Sequence, residues 1–264
     1  MGLLRVLIAP AGPRHAPPAW PVRALNFAAA FLLVVLIFYF AFSQLETRWG
    51  WNSVYRYRQK FVQGWLNTVW ISLAALGLST SIGLFFALAQ RSRFLPLYYF
   101  SKIYVEVVRG TPLLVQILIF FYVVANAFGV TNRYLVGVLT LAVFSGAYIS
   151  EIIRAGIESI GQSQLESAKA IGLTRAQTYR YVIFPQALRQ TLPPLAGQFV
   201  SLVKDSSLLS IISISEFTLN AREVNAYTFS TLESYIPLAA GYLILTLPIS
   251  LWARALEKKM KYET

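Results

Sequence analysis

Six stretches of mostly apolar residues constrain this chain more than any other feature. They cover residues 24–42, 65–89, 105–128, 134–153, 191–212 and 235–253. Because a membrane span takes about 20 apolar residues as an α-helix, each stretch is long enough, or nearly so, to cross a bilayer. We therefore predict an all-α integral membrane protein of about six transmembrane helices.

The composition supports a membrane protein and excludes several other classes. The chain is 56% hydrophobic and 13% charged, whereas a soluble domain is about 25% charged. Its net charge of +12 is carried by residues at the ends of apolar runs, which is typical of membrane orientation and not of nucleic-acid binding. Cysteine is absent and His15 is the single histidine, so the sequence predicts neither a disulfide nor a metal site.

The apolar runs divide the chain into four segments. We predict a cytoplasmic tail at 1–23, an N-terminal anchor helix at 24–42, an external loop at 43–63 and a transmembrane domain at 64–261. A cleaved signal peptide is the alternative for the first run. The bulky aromatic end of that run lacks a small-residue cleavage site, which favours a retained anchor.

Positive charges orient the predicted spans. If six spans alternate, the segments 1–23, 91–102, 154–190 and the C-terminal tail lie on one side, and they carry most of the lysine and arginine. Cytoplasmic loops are enriched in these residues, so both termini are predicted to be cytoplasmic. The basic residues of the first external loop run against this rule, and the sequence supplies no explanation for them: Arg48, Arg56, Arg58 and Lys60.

A polar segment between the fourth and fifth spans has the signals of a short helix. Ser163 followed by Glu166 is a capping-box pattern, and Gly172 suits the position just past a helix end. Ala168, Lys169 and Ile171 are expected on the exposed face of this helix. The helix is too short to be stable in isolation, so it must pack against other parts of the protein.

The same segment predicts a second helix after the glycine. Thr174 and Gln177 repeat the capping pattern, and Pro185 is expected to end the helix. Spacing alone leaves two interpretations open. One is an amphipathic connector on the lipid surface, and the other is a rigid surface on which another protein docks.

The segment 163–185 resembles the EAA loop of bacterial ABC importer permeases, whose pattern is E-A-A-x3-G-x9-I-x-L-P. The matching positions are Glu166, Ser167, Ala168, Gly172, Val182, Phe184 and Pro185, with mild substitutions at three of them. Four further segments resemble the polar amino acid branch of the family, of the histidine, glutamine and glutamate type: 104–116, 146–160, 185–195 and 202–212. The resemblance extends over residues 64–261.

This resemblance implies a set of partners. Family permeases have five core spans and a coupling helix that sits in a cleft of a cytoplasmic ATP-binding subunit. An importer contains two permease chains, two ATP-binding cassette subunits and an external amino acid binding protein, in the lipid of the bacterial inner membrane. The residues expected to dock the ATPase are Glu166, Ser167, Ala168, Lys169, Gly172, Arg175 and Pro185.

The resemblance also implies that this chain is a transport subunit and not an enzyme. It has no G-x4-G-K-[ST] phosphate loop. ATP and magnesium are therefore expected on the partner subunit, with no cofactor on this chain. The partner permease is expected to be either a second copy or a relative.

Charged residues within spans usually face a cavity or a partner, so they are candidates for the substrate pathway. Lys204 and Asp205 offer a donor and an acceptor for a zwitterionic amino acid. The i, i+3 pairs Glu106–Arg109 and Glu151–Arg154 are expected to be local ion pairs, or, for Glu151, a cavity residue. The full set of pathway candidates is Gln116, Ser145, Glu151, Lys204, Asp205 and Ser207.

Two other functions are weighed against the importer. In an ion-coupled secondary amino acid carrier, Glu151 would be a proton or sodium site. In a membrane scaffold, the basic loops would recruit partners or lipid. Neither explains the match of residues 166–185 to the EAA pattern.

Overall fold

The apolar runs form α-helices, as their composition predicts. The computed structural model describes residues 20–44 and 50–260, and these ranges contain no β-strand. Backbone contacts divide the chain into two units, Met1–Trp49 and Gly50–Thr264. Most of the predicted tail, the basic residue Arg48 and the last residues 261–264 lie outside the described residues.

The first unit contains one described helix, α1, at Trp20–Ser43. It corresponds to the predicted anchor 24–42 and begins four residues earlier, with Pro21 in its first turn, where a missing N–H breaks no intrahelical hydrogen bond. None of its residues is buried. Its 24 residues extend about 36 Å, which is enough to cross the hydrocarbon core of a bilayer.

The second unit contains the remaining described helices. They are α2 (Asn52–Arg56), α3 (Arg58–Ala89), α4 (Leu95–Gly110), α5 (Leu113–Ile119), α6 (Arg133–Glu158), α7 (Gln162–Ala170), α8 (Arg175–Thr178), α9 (Phe184–Asp205), α10 (Phe217–Thr228) and α11 (Thr231–Met260). Five helical segments of the described chain are long and apolar enough to cross a membrane, and the bent pair α4–α5 makes a sixth if it counts as one span. The predicted fold class is therefore confirmed.

The second span is longer than the sequence predicts. Helix α3 starts at Arg58 instead of residue 65, and α2 precedes it, so much of the expected loop 43–63 is helical. The extension is stabilised because Phe61 is buried against Phe217 of α10. At 32 residues, α3 is about 48 Å long and exceeds the full thickness of a bilayer.

The third span, predicted at 105–128, is interrupted by a sharp bend. The structure has α4 and α5 instead, bent by 110° at Thr111–Pro112, with a π-helical segment at Phe120–Ala125 after α5. Proline forces the preceding residue out of the helical conformation, and Thr111 is extended. The Gln116 Nε2 holds the bend by donating to the Val108 carbonyl at 2.7 Å and to the Thr111 hydroxyl at 2.7 Å.

The expectation that Pro185 ends a helix is wrong. A helical path continues from Arg175 to Ile212 over 38 residues, with a π-helical segment at Tyr179–Ile183 and a 3-10 segment at Ser206–Ile212. Pro185 lies in the first turn of α9. The change of hydrogen-bonding pattern before α9 accommodates the proline, since the first turn of a helix needs no N–H donor from it.

The main core lies where α3, α5, α6 and the end of α9 meet. Its fully buried members include Ile71, Ile117, Leu141 and Leu209. Helices α3 and α6 approach closely because each has a glycine at the contact. A Cβ on Gly83 would lie 2.4 Å from Ile149 Cγ2, and a Cβ on Gly146 would lie 2.6 Å from Ile82 Cγ2. Such small residues are what helix packing in lipid requires.

A second cluster joins α3, α10 and α11. Glu216 is fully buried at the start of α10. Its carboxylate accepts hydrogen bonds from the Thr218 and Leu219 N–H groups at 2.8 and 2.7 Å and from the Tyr242 hydroxyl at 3.0 Å. Burial raises the pKa of Glu216, and these hydrogen bonds oppose the increase. Glu216 is thus a structural cap and not a surface residue.

Candidate docking surface and transport pathway

The polar segment after α6 forms a helix, a turn and a second helix. We call residues 162–178 the knob. Its first helix, α7, has nine residues, and its N-cap is Gly161. The predicted capping box of Ser163 and Glu166 is therefore wrong, because Ser163 lies inside the first turn and the helix has no side-chain cap.

The turn and the second helix of the knob form as predicted. Gly172 has φ +79°, which favours glycine, and its N–H donates to the Lys169 carbonyl at 3.0 Å. Thr174 and Gln177 form a reciprocal capping box. The Thr174 N–H donates to Gln177 Oε1 at 2.8 Å, and the Gln177 N–H donates to the Thr174 hydroxyl at 3.3 Å.

The exposed face of the knob differs from the predicted one. Ala168 is only 3% exposed, and it lies beside a crevice that Leu173 and Val182 of the second half of the segment also line. Lys169 is exposed, as expected. Ile171 is 76% exposed, so the knob presents one large aliphatic side chain to its surroundings.

The remaining docking candidates are all exposed: Glu166, Ser167, Gly172, Arg175 and Pro185. Glu166, Lys169 and Arg175 share a crevice of about 270 Å³, which Arg91 also lines. Pro185 is not part of this crevice, since it lies at the start of α9. The structure therefore brings three of the charged candidates together on one side of the knob.

Among the described residues, side-chain hydrogen bonds attach the knob and the segment that follows it to other helices. The Gln186 Nε2 donates to Gln164 Oε1 at 2.6 Å, which joins α9 to α7. The Arg91 Nη2 donates to the Tyr179 hydroxyl at 3.2 Å, which joins the end of α3 to the segment after α8. Neither contact follows from a sequence pattern, because the partners are distant in the chain.

Glu151 lies in a cluster of ion pairs that links α4 to α6. Its carboxylate accepts from Arg109 Nη1 at 2.9 Å and also pairs with Arg154, which pairs in turn with Glu158. The predicted local pair Glu106–Arg109 is wrong. Arg109 bonds across to α6 instead, and Glu106 forms no ion pair within the described ranges 20–44 and 50–260.

The pathway candidates lie at two levels along the spans. Gln198 of α9 donates to the fully buried hydroxyl of Ser145 of α6 at 3.4 Å, which fixes the register of these antiparallel helices. Glu151 and Lys204 each lie six residues from this contact, in opposite directions. At the α-helical rise they are separated by about 18 Å along the axis, which is too far for one small amino acid to contact both.

The level of Lys204 contains the residues at the end of α9. Lys204 is exposed, whereas Asp205 and Ser207 are half-buried. Gln116 is buried, and its NH₂ group holds the α4–α5 bend while its Oε1 has no hydrogen-bond partner in the described structure. Lys204, Asp205 and Ser207 are thus neighbours along the chain at this level, whereas Gln116, Ser145 and Glu151 form hydrogen bonds or ion pairs with other residues.

Comparison with protein families gives a match over most of the chain. Residues 79–262 match the family described as the binding-protein-dependent transport system inner membrane component. The glutamine transport system permease protein of Escherichia coli strain K12 is 35% identical over 216 residues, which cover 81% of this chain and 99% of that protein. The L-cystine transport system permease protein of Bacillus subtilis strain 168 is 40% identical over 181 residues, covering 68% and 77%.

Solved structures of ABC transporters are also similar to this chain. The crystal structure of an amino acid ABC transporter with histidines superposes with a TM-score of 0.75 and 36% identity, over 81% of this chain and 100% of that chain. An inward-facing structure of the MetNI methionine ABC transporter superposes with a TM-score of 0.64 over 78% of this chain and 98% of that chain. At 15% identity, the second likeness shows the fold alone.

Proposed function

Because the chain belongs to the family of binding-protein-dependent transport system inner membrane components, we propose that it is the permease subunit of an ATP-driven importer of a polar amino acid. The family match confirms the resemblance found at residues 166–185. The relatives' names, which refer to glutamine and to L-cystine, support the substrate class. An ion-coupled carrier is not favoured, since Glu151 is engaged with two arginines.

The observation that carries the proposal is the geometry of the knob. A nine-residue helix ends in a glycine turn, a capped second helix follows, and a span continues from it. We propose that α7 is the coupling helix. Ile171 enters an apolar cleft of an ATP-binding subunit, and Lys169 and Arg175 pair with acidic residues around that cleft.

The hydrogen bonds between the knob region and the spans give a route for coupling. When two ATP-binding subunits close, the knob moves with them, and the Gln164–Gln186 and Arg91–Tyr179 contacts transfer the movement to α9 and α3. Relative movement of the spans then exposes the pathway to one side of the membrane or the other. ATP and magnesium bind to the partner subunit.

The assembly proposed here follows from these roles. Two ATP-binding cassette subunits dock on two permease chains, which are either copies of this chain or this chain and a relative. An external amino acid binding protein delivers the substrate. The chain lies in the lipid of the bacterial inner membrane with both termini on the cytoplasmic side, which places the knob on the cytoplasmic face.

Substitution of Gly172 tests the docking assignment. Aspartate tolerates a positive φ better than most residues, and a Cβ at Gly172 meets nothing within 4 Å, so we expect Gly172→Asp to fold. Its carboxylate would lie unpaired in the partner cleft, which disfavours docking. We expect recovery of a phosphate-loop ATPase with the affinity-purified chain to fall about tenfold or more.

Gly129→Asp is the matched control for this experiment. Gly129 also has a positive φ, of +66°, and open space around its Cβ position, but it lies between α5 and α6. It should retain the ATPase at the wild-type level. Equal ATPase recovery with wild type and Gly172→Asp, by mass spectrometry after mild-detergent purification, would contradict the docking assignment.

Substitution of Lys204 tests the proposed substrate site. The ammonium of Lys204 is proposed to pair with the substrate carboxylate, and loss of one partner of a desolvated charge pair costs about 2–5 kcal/mol. Lys204→Met should therefore lower uptake of a radiolabelled amino acid by about 30-fold or more. Lys102→Met removes a charge from α4, where the ammonium lies over the Tyr98 ring, and should transport normally. Undiminished uptake by Lys204→Met would exclude this role.

A further inference from the structure

The external end of α3 carries a basic groove that the proposed function leaves unexplained. The groove has a volume of about 720 Å³ and lies between α2, the first residues of α3 and the end of α10. Its lining residues are Asn52, Tyr55, Arg56, Tyr57, Arg58, Tyr227 and Thr228. All of these side chains carry hydrogen-bond donors, and none is acidic, so the groove suits an anion.

The positive charge of this groove has no carboxylate to balance it within the described residues. Lys60 is neutralised, because it forms an ion pair with Glu223. Arg56 and Arg58 form no ion pair within the ranges 20–44 and 50–260. Arg58 lies over the Tyr55 ring, with 4.5 Å between Cζ and the ring centroid, and its Nη1 donates to the Tyr55 carbonyl at 3.0 Å. These contacts hold its guanidinium at the groove.

The groove lies near the outer edge of the lipid headgroups. Arg58 lies seven residues, or about 10 Å, beyond Trp65, where the apolar part of α3 begins. Headgroup regions extend about 5–7 Å beyond the hydrocarbon core on each side, so the backbone of Arg58 lies about 3–5 Å outside this layer. Trp65 and Tyr57 are aromatic residues of the kind that mark this interface.

An apolar ridge descends from the groove along the same helix. Val62, Leu66, Trp70 and Leu73 follow Arg58 at spacings of three or four residues, and each is more than half exposed. A cation above an exposed aliphatic ridge fits a molecule with an anionic head and apolar chains. A water-soluble acidic protein would use the charge and not the ridge, so the combination favours a lipid.

We propose that Arg56 and Arg58 bind the phosphate of an anionic glycerophospholipid, whose acyl chains lie on the ridge formed by Val62, Leu66, Trp70 and Leu73. Planar guanidinium groups suit bidentate contacts with phosphate oxygens. Tyr55 and Tyr227 line the same groove and provide phenolic donors. The lipid neutralises Arg56 and Arg58, two of the basic residues that run against the charge rule on the external side. This lipid site does not depend on which amino acid is transported. The proposed orientation of the chain affects only one part of the proposal, which is that the lipid lies in the outer leaflet of the membrane.

Lipid titration of the full-length chain tests this site. The purified chain in mild detergent is titrated with phosphatidylglycerol or phosphatidylcholine, and bound lipids are counted by native mass spectrometry. We expect the wild type to bind phosphatidylglycerol about tenfold or more tightly than the double variant Arg56→Gln and Arg58→Gln. Phosphatidylcholine, which lacks net charge, should bind weakly to both.

Two further variants control the experiment. Arg222→Gln removes one exposed external charge from α10, outside the groove, and should bind phosphatidylglycerol as the wild type does. The lysine pair Arg56→Lys and Arg58→Lys keeps both charges but loses the bidentate geometry, so an intermediate affinity is expected. This pair also serves if the glutamine variant fails to elute as a single species in size-exclusion chromatography.

Four results would overturn the proposal. The first is wild-type affinity in the glutamine variant, or in the lysine pair if only that pair folds. The second is an equal loss in Arg222→Gln, which would indicate general attraction by charge. The third is displacement of the lipid by millimolar inorganic phosphate, which would make the site one for free phosphate. The fourth is a glutamine variant that binds lipid like the wild type but associates more weakly with the external binding protein, which would assign the groove to that protein.

Discussion

Replacing Ile171 with aspartate should weaken docking of the ATPase and abolish ATP-driven transport. Ile171 is 76% exposed on a knob whose other exposed residues are mostly polar. Burial of an isoleucine side chain in a partner stabilises by about 1.5–3 kcal/mol, and a buried unpaired carboxylate opposes docking further. Because 1.4 kcal/mol is tenfold in affinity, we expect ATPase affinity to fall about 100-fold and ATP-driven uptake to be lost.

Affinity of the purified permease for its ATPase and uptake into vesicles are the two measurements. Lys258→Gln is the control, since it changes the net charge by the same amount at an exposed position near the end of α11. The control should transport normally. If Ile171→Asp binds the ATPase and supports uptake like the wild type, the exposed isoleucine is not part of the docking surface.

Replacing Gly83 with leucine should prevent the spans from packing. A Cβ at Gly83 would lie 2.4 Å from Ile149 Cγ2 and 3.1 Å from the Gly146 carbonyl oxygen. The same Cβ would lie 2.7 Å from Ile149 Cβ, which no rotamer change moves, so α3 must move away from α6. Overpacking of this kind costs about 1–3 kcal/mol or more, a large part of a protein's net stability.

Gly77→Leu is a matched control on the same helix. A Cβ at Gly77 meets nothing within 4 Å, so leucine there should be tolerated. We expect Gly83→Leu to lose the monodisperse peak in fluorescence-detected size-exclusion chromatography at temperatures where Gly77→Leu keeps it. A thermal midpoint within a degree or two of the wild type for Gly83→Leu would contradict the close α3–α6 contact.

Hydropathy predicts the number of spans but not their ends. The apolar content of α3 locates its centre, whereas its start at Arg58 depends on Phe61 packing against α10, a contact between residues far apart in the sequence. The bend between α4 and α5 falls inside an apolar run, so averaging over a window conceals it. Pro112 was the available signal, because proline restricts the residue before it.

Local patterns predict the knob only in part. The positive φ of Gly172 and the Thr174–Gln177 capping box depend on neighbouring residues and form as expected. The burial of Ala168 depends on how the two halves of the segment fold together, and no pattern within α7 specifies it. The predicted pair of Glu151 with Arg154 forms, but its second partner is missed for the same reason, because Arg109 reaches Glu151 from another helix.

The unbroken helical path from Arg175 to Ile212 makes the knob one end of a lever. Its 38 residues extend about 57 Å at the α-helical rise, so a tilt of about 5° moves one end by about 5 Å relative to the other. Pro193 and Pro194 lie near the middle, where missing N–H donors make a helix easier to bend. A small push at the knob therefore becomes a displacement of side-chain size at Lys204, and the prolines set how much of that push the helix absorbs by flexing.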